Sequence, residues 1–130
     1  MFEVNPAWLD KAVENLESAR SELINRRYNS CANRSYYACF QAAIYALIRE
    51  GTQVRRDQGR WGHDFVQAEF ARQLIDRRKL YAAVLRSTLS ENFALRRIAD
   101  YRTELVSANG AVRSVARTEQ FIAAIRAREH

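Results

Sequence analysis

Proline is nearly absent from this chain: Pro6 stands alone in 130 residues, accompanied by only four glycines, Gly51, Gly59, Gly62 and Gly110. So few breakers, with no apolar–polar alternation of period two, exclude a sheet protein and predict an all-helical one. Cysteine is equally scarce. Cys31 and Cys39 fall eight apart in one helical pattern, which sets their Cα atoms ~12 Å apart and excludes a disulfide between them. Both thiols read as small core residues. With two dispersed histidines, His63 and His130, they form no zinc pattern, and neither a metal nor a cofactor is expected. No apolar run approaches the ~20 residues of a membrane span. The opening stretch MFEVNPAWLDKAVENLES lacks the basic and apolar regions of a signal peptide, so a cytoplasmic location is expected. Also missing are a glycine-rich phosphate loop after a strand, an activated serine or cysteine signature and paired carboxylates for hydrolysis.

What the chain has is arginine. Of 21 basic residues 19 are Arg, and the net charge is +6. The charge is uneven: residues 1–25 carry five acids against two bases, whereas residues 26–102 carry fifteen bases against seven acids. Guanidinium forks suit phosphate and also stack on bases, so a polyanionic partner fits a basic middle. A compositional preference for Arg on ordinary surfaces produces the same count.

Length predicts one domain over residues 1–130. Asn5-Pro6 suits a helix start, and Leu9, Val13, Leu16 and Leu23, widened by Ala12 and Ala19, predict a helix over about 6–26. A second helix is predicted over 30–50, from Ala32, Tyr36, Tyr37, Phe40, Ala43, Ile44, Leu47 and Ile48, with Gly51 past its end. Residues 51–62, GTQVRRDQGRWG, read as a basic loop. Phe65, Val66, Phe70, Leu74 and Ile75 form a third pattern that DRRKL interrupts. A fourth is predicted over 80–104, with Tyr81, Val84, Leu85, Leu89, Phe93, Leu95 and Ile98 apolar. A fifth carries Val112, Val115, Phe121, Ile122 and Ile125. It starts either after Gly110 or at an Ser107 cap, with Gly110 in the first turn. The expected fold is an up-and-down bundle of four to five helices.

Four segments, in order, resemble one family. RYNSCANRSYYACFQAAIYALIREG, then HDFVQAEFARQLID, LRRIADYR and RTEQFIAAIRARE are similar to the HEPN domain family in its short stand-alone prokaryotic branch. The resemblance covers about residues 6–128. It implies an α-helical bundle, a homodimer, and association with a minimal nucleotidyltransferase in a toxin–antitoxin-like pair. Many members are metal-independent ribonucleases with an Arg, four to six residues, then His, the motifs of two subunits facing across the dimer cleft. On this chain the motif arginine falls on Arg96 and the histidine's place on Tyr101. Phosphate binding and charge neutralisation by Arg96 survive that replacement. Proton transfer does not pass easily to a phenol, which ionises only near pH ~10. The resemblance therefore implies either an RNA-directed protein whose cleft is lined by Arg96 and Tyr101, or a catalytically inactive module binding nucleotide or protein.

Each candidate has a plain structural reading beside the functional one. On a helix Arg97 and Tyr101, and Arg96 and Asp100, are i,i+4 pairs, so LRRIADYR also reads as an ordinary charged face. His63 either caps the third helix or packs beside Trp61, or it reaches the cleft as a proton shuttle. Arg26, Arg27 and Arg34 interleave with Tyr28, Tyr36 and Tyr37 in a stacking-plus-phosphate composition suited to single-stranded nucleic acid. At least two of Tyr36, Tyr37 and Phe40 are expected in the core. Arg55, Arg56 and Arg60, and Arg77, Arg78 and Lys79, read as solvated basic patches that also suit phosphate. The candidate nucleic-acid contacts are thus Arg97, Arg34, Arg55, Arg56 and His63. A small helical protein binding nucleic acid through its basic face alone is the third reading.

Overall fold

A computed structural model describes residues 5–53 and 61–128. Arg55, Arg56, Gly59, Arg60 and His130 lie outside the described residues. The elements run α1 (Ala7–Ile24), α2 (Tyr28–Arg49), α3 (His63–Glu69), a π-helical continuation of α3 (Phe70–Arg77), α4 (Leu85–Tyr101) and α5 (Ala108–Arg126). The fold is an all-α helical bundle. Among the described residues no helix is long and apolar enough to cross a membrane.

Local chemistry sets the boundaries. Asn5 Oδ1 accepts from the Ala7 N–H at 2.9 Å, satisfying one donor at the start of α1. Past its end Arg26 takes a positive φ of 61°. There the Arg26 and Arg27 N–H groups donate to Leu23 and Glu22 carbonyls, a Schellman closure made without glycine. α2 consequently starts at Tyr28, two residues earlier than the apolar spacing predicts. Gly51, at φ 97°, closes α2 in the same way, its N–H and that of Thr52 donating to Ile48 and Leu47. Ser107 is the α5 cap: its side chain accepts from the Gly110 N–H at 3.0 Å, so Gly110 lies in the first turn. A Cβ at Gly110 would stand 3.1 Å from Ser107 Oγ and 3.6 Å from Leu95 Cδ1. Glycine thus keeps that cap compact against α4.

Several expectations shift. The third helix changes to π-winding at Phe70, which brings Phe70, Leu74 and Ile75 into the core together. α4 starts at Leu85, not 80, because Lys79 adopts a left-handed φ of 53° after the π segment. Tyr81 is still buried, whereas Val84 and, on α5, Val112 are exposed. α4 also stops at Tyr101, three residues early, because Arg102 is extended. The chain then returns to the core at Val106, whose N–H donates to Asn29 Oδ1 at 3.0 Å.

α2 is the central helix, packed on α1, α4 and α5. It buries Cys31, Ala32, Ala38, Cys39, Ala42, Ala43 and Ala46, small side chains that admit neighbours on several sides. Both cysteines are free and buried. Burial pushes the Cys39 thiol up to about 11, against the opposing pull of its hydrogen bonds with Thr118 and Asn92. Cys31 is raised by the same cause.

Candidate active site

α4 places Asn92, Phe93, Arg96 and Asp100 along its side facing α2, with Tyr101 at its last turn. The Arg96 side chain is only 15% exposed, and every partner it makes fixes the guanidinium plane. Nε donates to Asp100 Oδ2 at 3.1 Å, and Nη2 reaches Tyr101 Oη at 3.4 Å. Its Cζ lies 5.1 Å from the Tyr36 ring centroid, 5.2 Å from Tyr37 and 5.8 Å from Tyr101. Such contacts orient an arginine without consuming all five of its N–H donors. Asp100 is held in turn by Asn33 Nδ2, at 3.2 and 3.0 Å from its two oxygens. The Arg96–Asp100 pair expected from spacing is therefore present. Tyr101, however, pairs with Arg96 at i,i+5, its hydroxyl 3.4 Å from Nη2 and its ring 5.8 Å from Cζ.

Beside Arg96 opens a cavity of about 440 Å³, walled by Tyr36, Tyr37, Phe40, Trp61, Gly62, His63 and Asp64. Tyr36 forms its floor: the ring is buried, stacked on Phe40 at 5.7 Å and touching Phe93 at 5.5 Å. Tyr37 and Phe40 are half-buried, so one of the three aromatics is fully inside, not the two or more expected. Tyr37 and Phe40 wall the cavity there, while Tyr36 also meets Phe93 of α4. Desolvation holds the Tyr36 phenol above its usual range despite the nearby Arg96 charge, making Tyr36 a neutral wall and donor, not a base.

His63 opens α3, but Gly62 is the cap residue and no side chain caps that end. The imidazole instead stacks on Phe93 of α4, centroids 4.4 Å apart and planes at 23°. Its Nε2 lies 3.2 Å from Asp64 Oδ1, and Trp61 packs against Phe65 at 5.9 Å. Of the residues singled out in sequence, the structure gathers Arg96, Tyr101 and His63 around one guanidinium and its cavity. It leaves two others elsewhere. Arg34 donates to Asn15 Oδ1 at 3.3 Å and lines a separate polar hollow with Asn33 and Asp100. Arg97 is exposed on α4. The DRRK patch is partly committed as well, since Arg78 bonds the Glu50 carbonyl and carboxylate, each at 3.2 Å.

Sequence reasoning anticipated the Arg96–Asp100 pair from its spacing but missed Asn33 and Phe93 as supports of the site. Both depend on which faces of α2, α3 and α4 meet. Among the described residues no group of three or more His, Cys, Asp or Glu is placed to hold a metal ion. Arginine over aromatic rings, beside an imidazole, can neutralise a phosphate, stack a base and exchange a proton.

A search of the curated proteins finds no match to this chain. A family model does match, that of the HEPN domain, across residues 6–128, nearly the whole bundle and all of the residues just described. The chain belongs to the HEPN domain family.

Proposed function

We propose that this protein is RNA-directed and toxin-like, acting as a homodimer under the control of a minimal nucleotidyltransferase. The observation that carries the RNA reading is Arg96, clamped by Asp100 and laid over tyrosine faces at the mouth of an aromatic cavity. A phosphodiester oxygen meets the guanidinium while the adjoining base stacks on Tyr37, Phe40 or Trp61, each stacking contact contributing ~1–3 kcal/mol. The homodimer reading is supported by Tyr101, 72% exposed at the flank of Arg96, and Leu105, 79% exposed just beyond it. Both are large apolar surfaces where a second copy would bring its own Arg96. The nucleotidyltransferase partner rests on the likeness of the four segments to the short stand-alone branch of the family.

A second reading, a catalytically inactive module that binds nucleotide or protein, is favoured by one residue: a phenol, Tyr101, stands where the family motif has histidine. Binding of fluorescent single-stranded RNA, titrated at several salt concentrations, separates the two. Wild type is expected to bind with a salt-dependent affinity, and Arg96→Ala to bind about tenfold more weakly. Light scattering is expected to give about twice the 15.1 kDa chain mass. Equal RNA binding by both proteins, or a monomer at high concentration, sinks the RNA-directed shared-cleft reading.

A further inference from the structure

We infer that His63 supplies the proton that the phenol at position 101 does not, acting as the general acid for RNA cleavage in the Arg96 cavity. The inference rests on the RNA reading above and adds to it a residue from a different helix.

Three observations converge. His63 and Arg96 wall the same cavity, although 33 positions separate them in sequence. They are registered by one aromatic stack: His63 lies on Phe93 at 4.4 Å, Phe93 meets Tyr36 at 5.5 Å, and Tyr36 lies under Arg96 at 5.1 Å. The imidazole is also oriented in its plane, with Nε2 3.2 Å from Asp64 Oδ1, while its side chain keeps 42% of its surface exposed. A histidine serving only as packing would have no need of that opening beside an anchored arginine.

Among the described residues, the charged groups that line the cavity with His63 are Asp64 on its own helix and Arg96 from α4, and α2 contributes the neutral Tyr36, Tyr37 and Phe40. Arg96 supplies a fixed positive charge for the phosphate.

The step is a transesterification. The 2′-hydroxyl oxygen of the RNA forms a bond to the adjacent phosphorus, and its proton passes to water. The bond from phosphorus to the 5′-oxygen breaks, and the His63 imidazolium gives its proton to that oxygen. The products are a 2′,3′-cyclic phosphate and a 5′-hydroxyl, and His63 regains its proton from water. Arg96 neutralises the charge that grows on the non-bridging oxygens.

The test uses the full-length protein, a chelator and two single-stranded RNAs. One is ordinary RNA; the other has a bridging 5′-sulfur, whose thiolate departs without a proton. His63→Gln is expected to cleave ordinary RNA, at saturating concentration, at least ~100-fold more slowly than wild type. On the sulfur-bridged RNA it is expected to approach the wild-type rate. His63→Asn is expected to behave likewise and separates a lost proton from a damaged fold. Equal slowing on both RNAs assigns His63 a structural role and overturns the inference. So does unchanged cleavage by both variants, or RNA binding by wild type without cleavage. Failure of wild type to bind RNA at all is a different result, which overturns the RNA reading itself.

Discussion

Two polar clusters sit one helical turn apart on α4, at Asn92 and at Arg96, and they are built to opposite ends. Asn92 is fully buried. Its Nδ2 donates to Thr118 Oγ1 at 3.0 Å and approaches Cys39 Sγ at 3.2 Å, while its Oδ1 accepts from Arg117 Nε at 3.1 Å. Thr118 in turn donates to the Ser114 carbonyl at 2.7 Å. This cluster closes on itself between α2, α4 and α5. Arg96 is clamped along one edge only and turns the remainder toward a cavity. The difference lies in α2: the small Cys39 meets Asn92, whereas the rings of Tyr36 and Tyr37 meet Arg96. Satisfied inside the protein, a polar group specifies packing; satisfied on one side only, it presents donors to a ligand.

Substitution at the two positions should separate stability from binding. Asn92→Ala strands the Thr118 and Arg117 partners and leaves a small void, so urea unfolding should show a loss of about 3 kcal/mol. Arg96→Ala, on the open cluster, should lose under about 1 kcal/mol in the same measurement, since Asp100 keeps Asn33. A larger loss at Arg96 than at Asn92 would break the comparison.

Next in size is a pH effect from the closed cluster. Below pH 9 the Cys39 thiol is protonated whether the chain is folded or not. Between about 9 and about 11 only the unfolded chain ionises, so stability falls across that window and this loss stops above it. The contribution is roughly 2–3 kcal/mol. Cys39→Ser, which has no thiol to ionise, should show a shallower decline from pH 9 to 11 in thermal melts. The same slope in both proteins would show that burial does not hold the thiol neutral.

The smallest expected change is at the rim of the open cluster. Tyr101→Phe removes a hydroxyl 3.4 Å from Arg96 but keeps the ring beside the guanidinium. RNA affinity, measured by anisotropy, should move less than twofold. A loss as large as that of Arg96→Ala would make the phenol, and not the arginine, the principal contact.

Much of the bundle could be read from the chain because its signals are local. Asn5 before Pro6, Gly51 after Arg49 and Ser107 three residues before Gly110 are capping patterns that act over a few residues. The start of α4 was not readable: Tyr81 continues the apolar spacing and is buried, yet the backbone there is not helical. The π-winding at Phe70 left the apolar pattern intact and so gave no warning. At the site, the Arg96–Asp100 pair follows from helix spacing, and the family motif marks Arg96. The tyrosine cradle, the Asn33 clamp and the stacking of His63 on Phe93 join α2, α3 and α4 over long sequence separations. They exist only once the bundle is folded.

The central claim is that RNA enters the aromatic cavity beside Arg96. Photo-crosslinking of single-stranded RNA carrying 4-thiouridine, followed by mass spectrometry of tryptic peptides, tests it most directly. Cross-links are expected in peptide 35–49, which carries Tyr36, Tyr37 and Phe40, and in peptide 61–72, which carries Trp61 and His63, and they should fall sharply in Arg96→Ala. Cross-links confined to the basic stretches at 26–27 or 77–79, unchanged by that substitution, would contradict it.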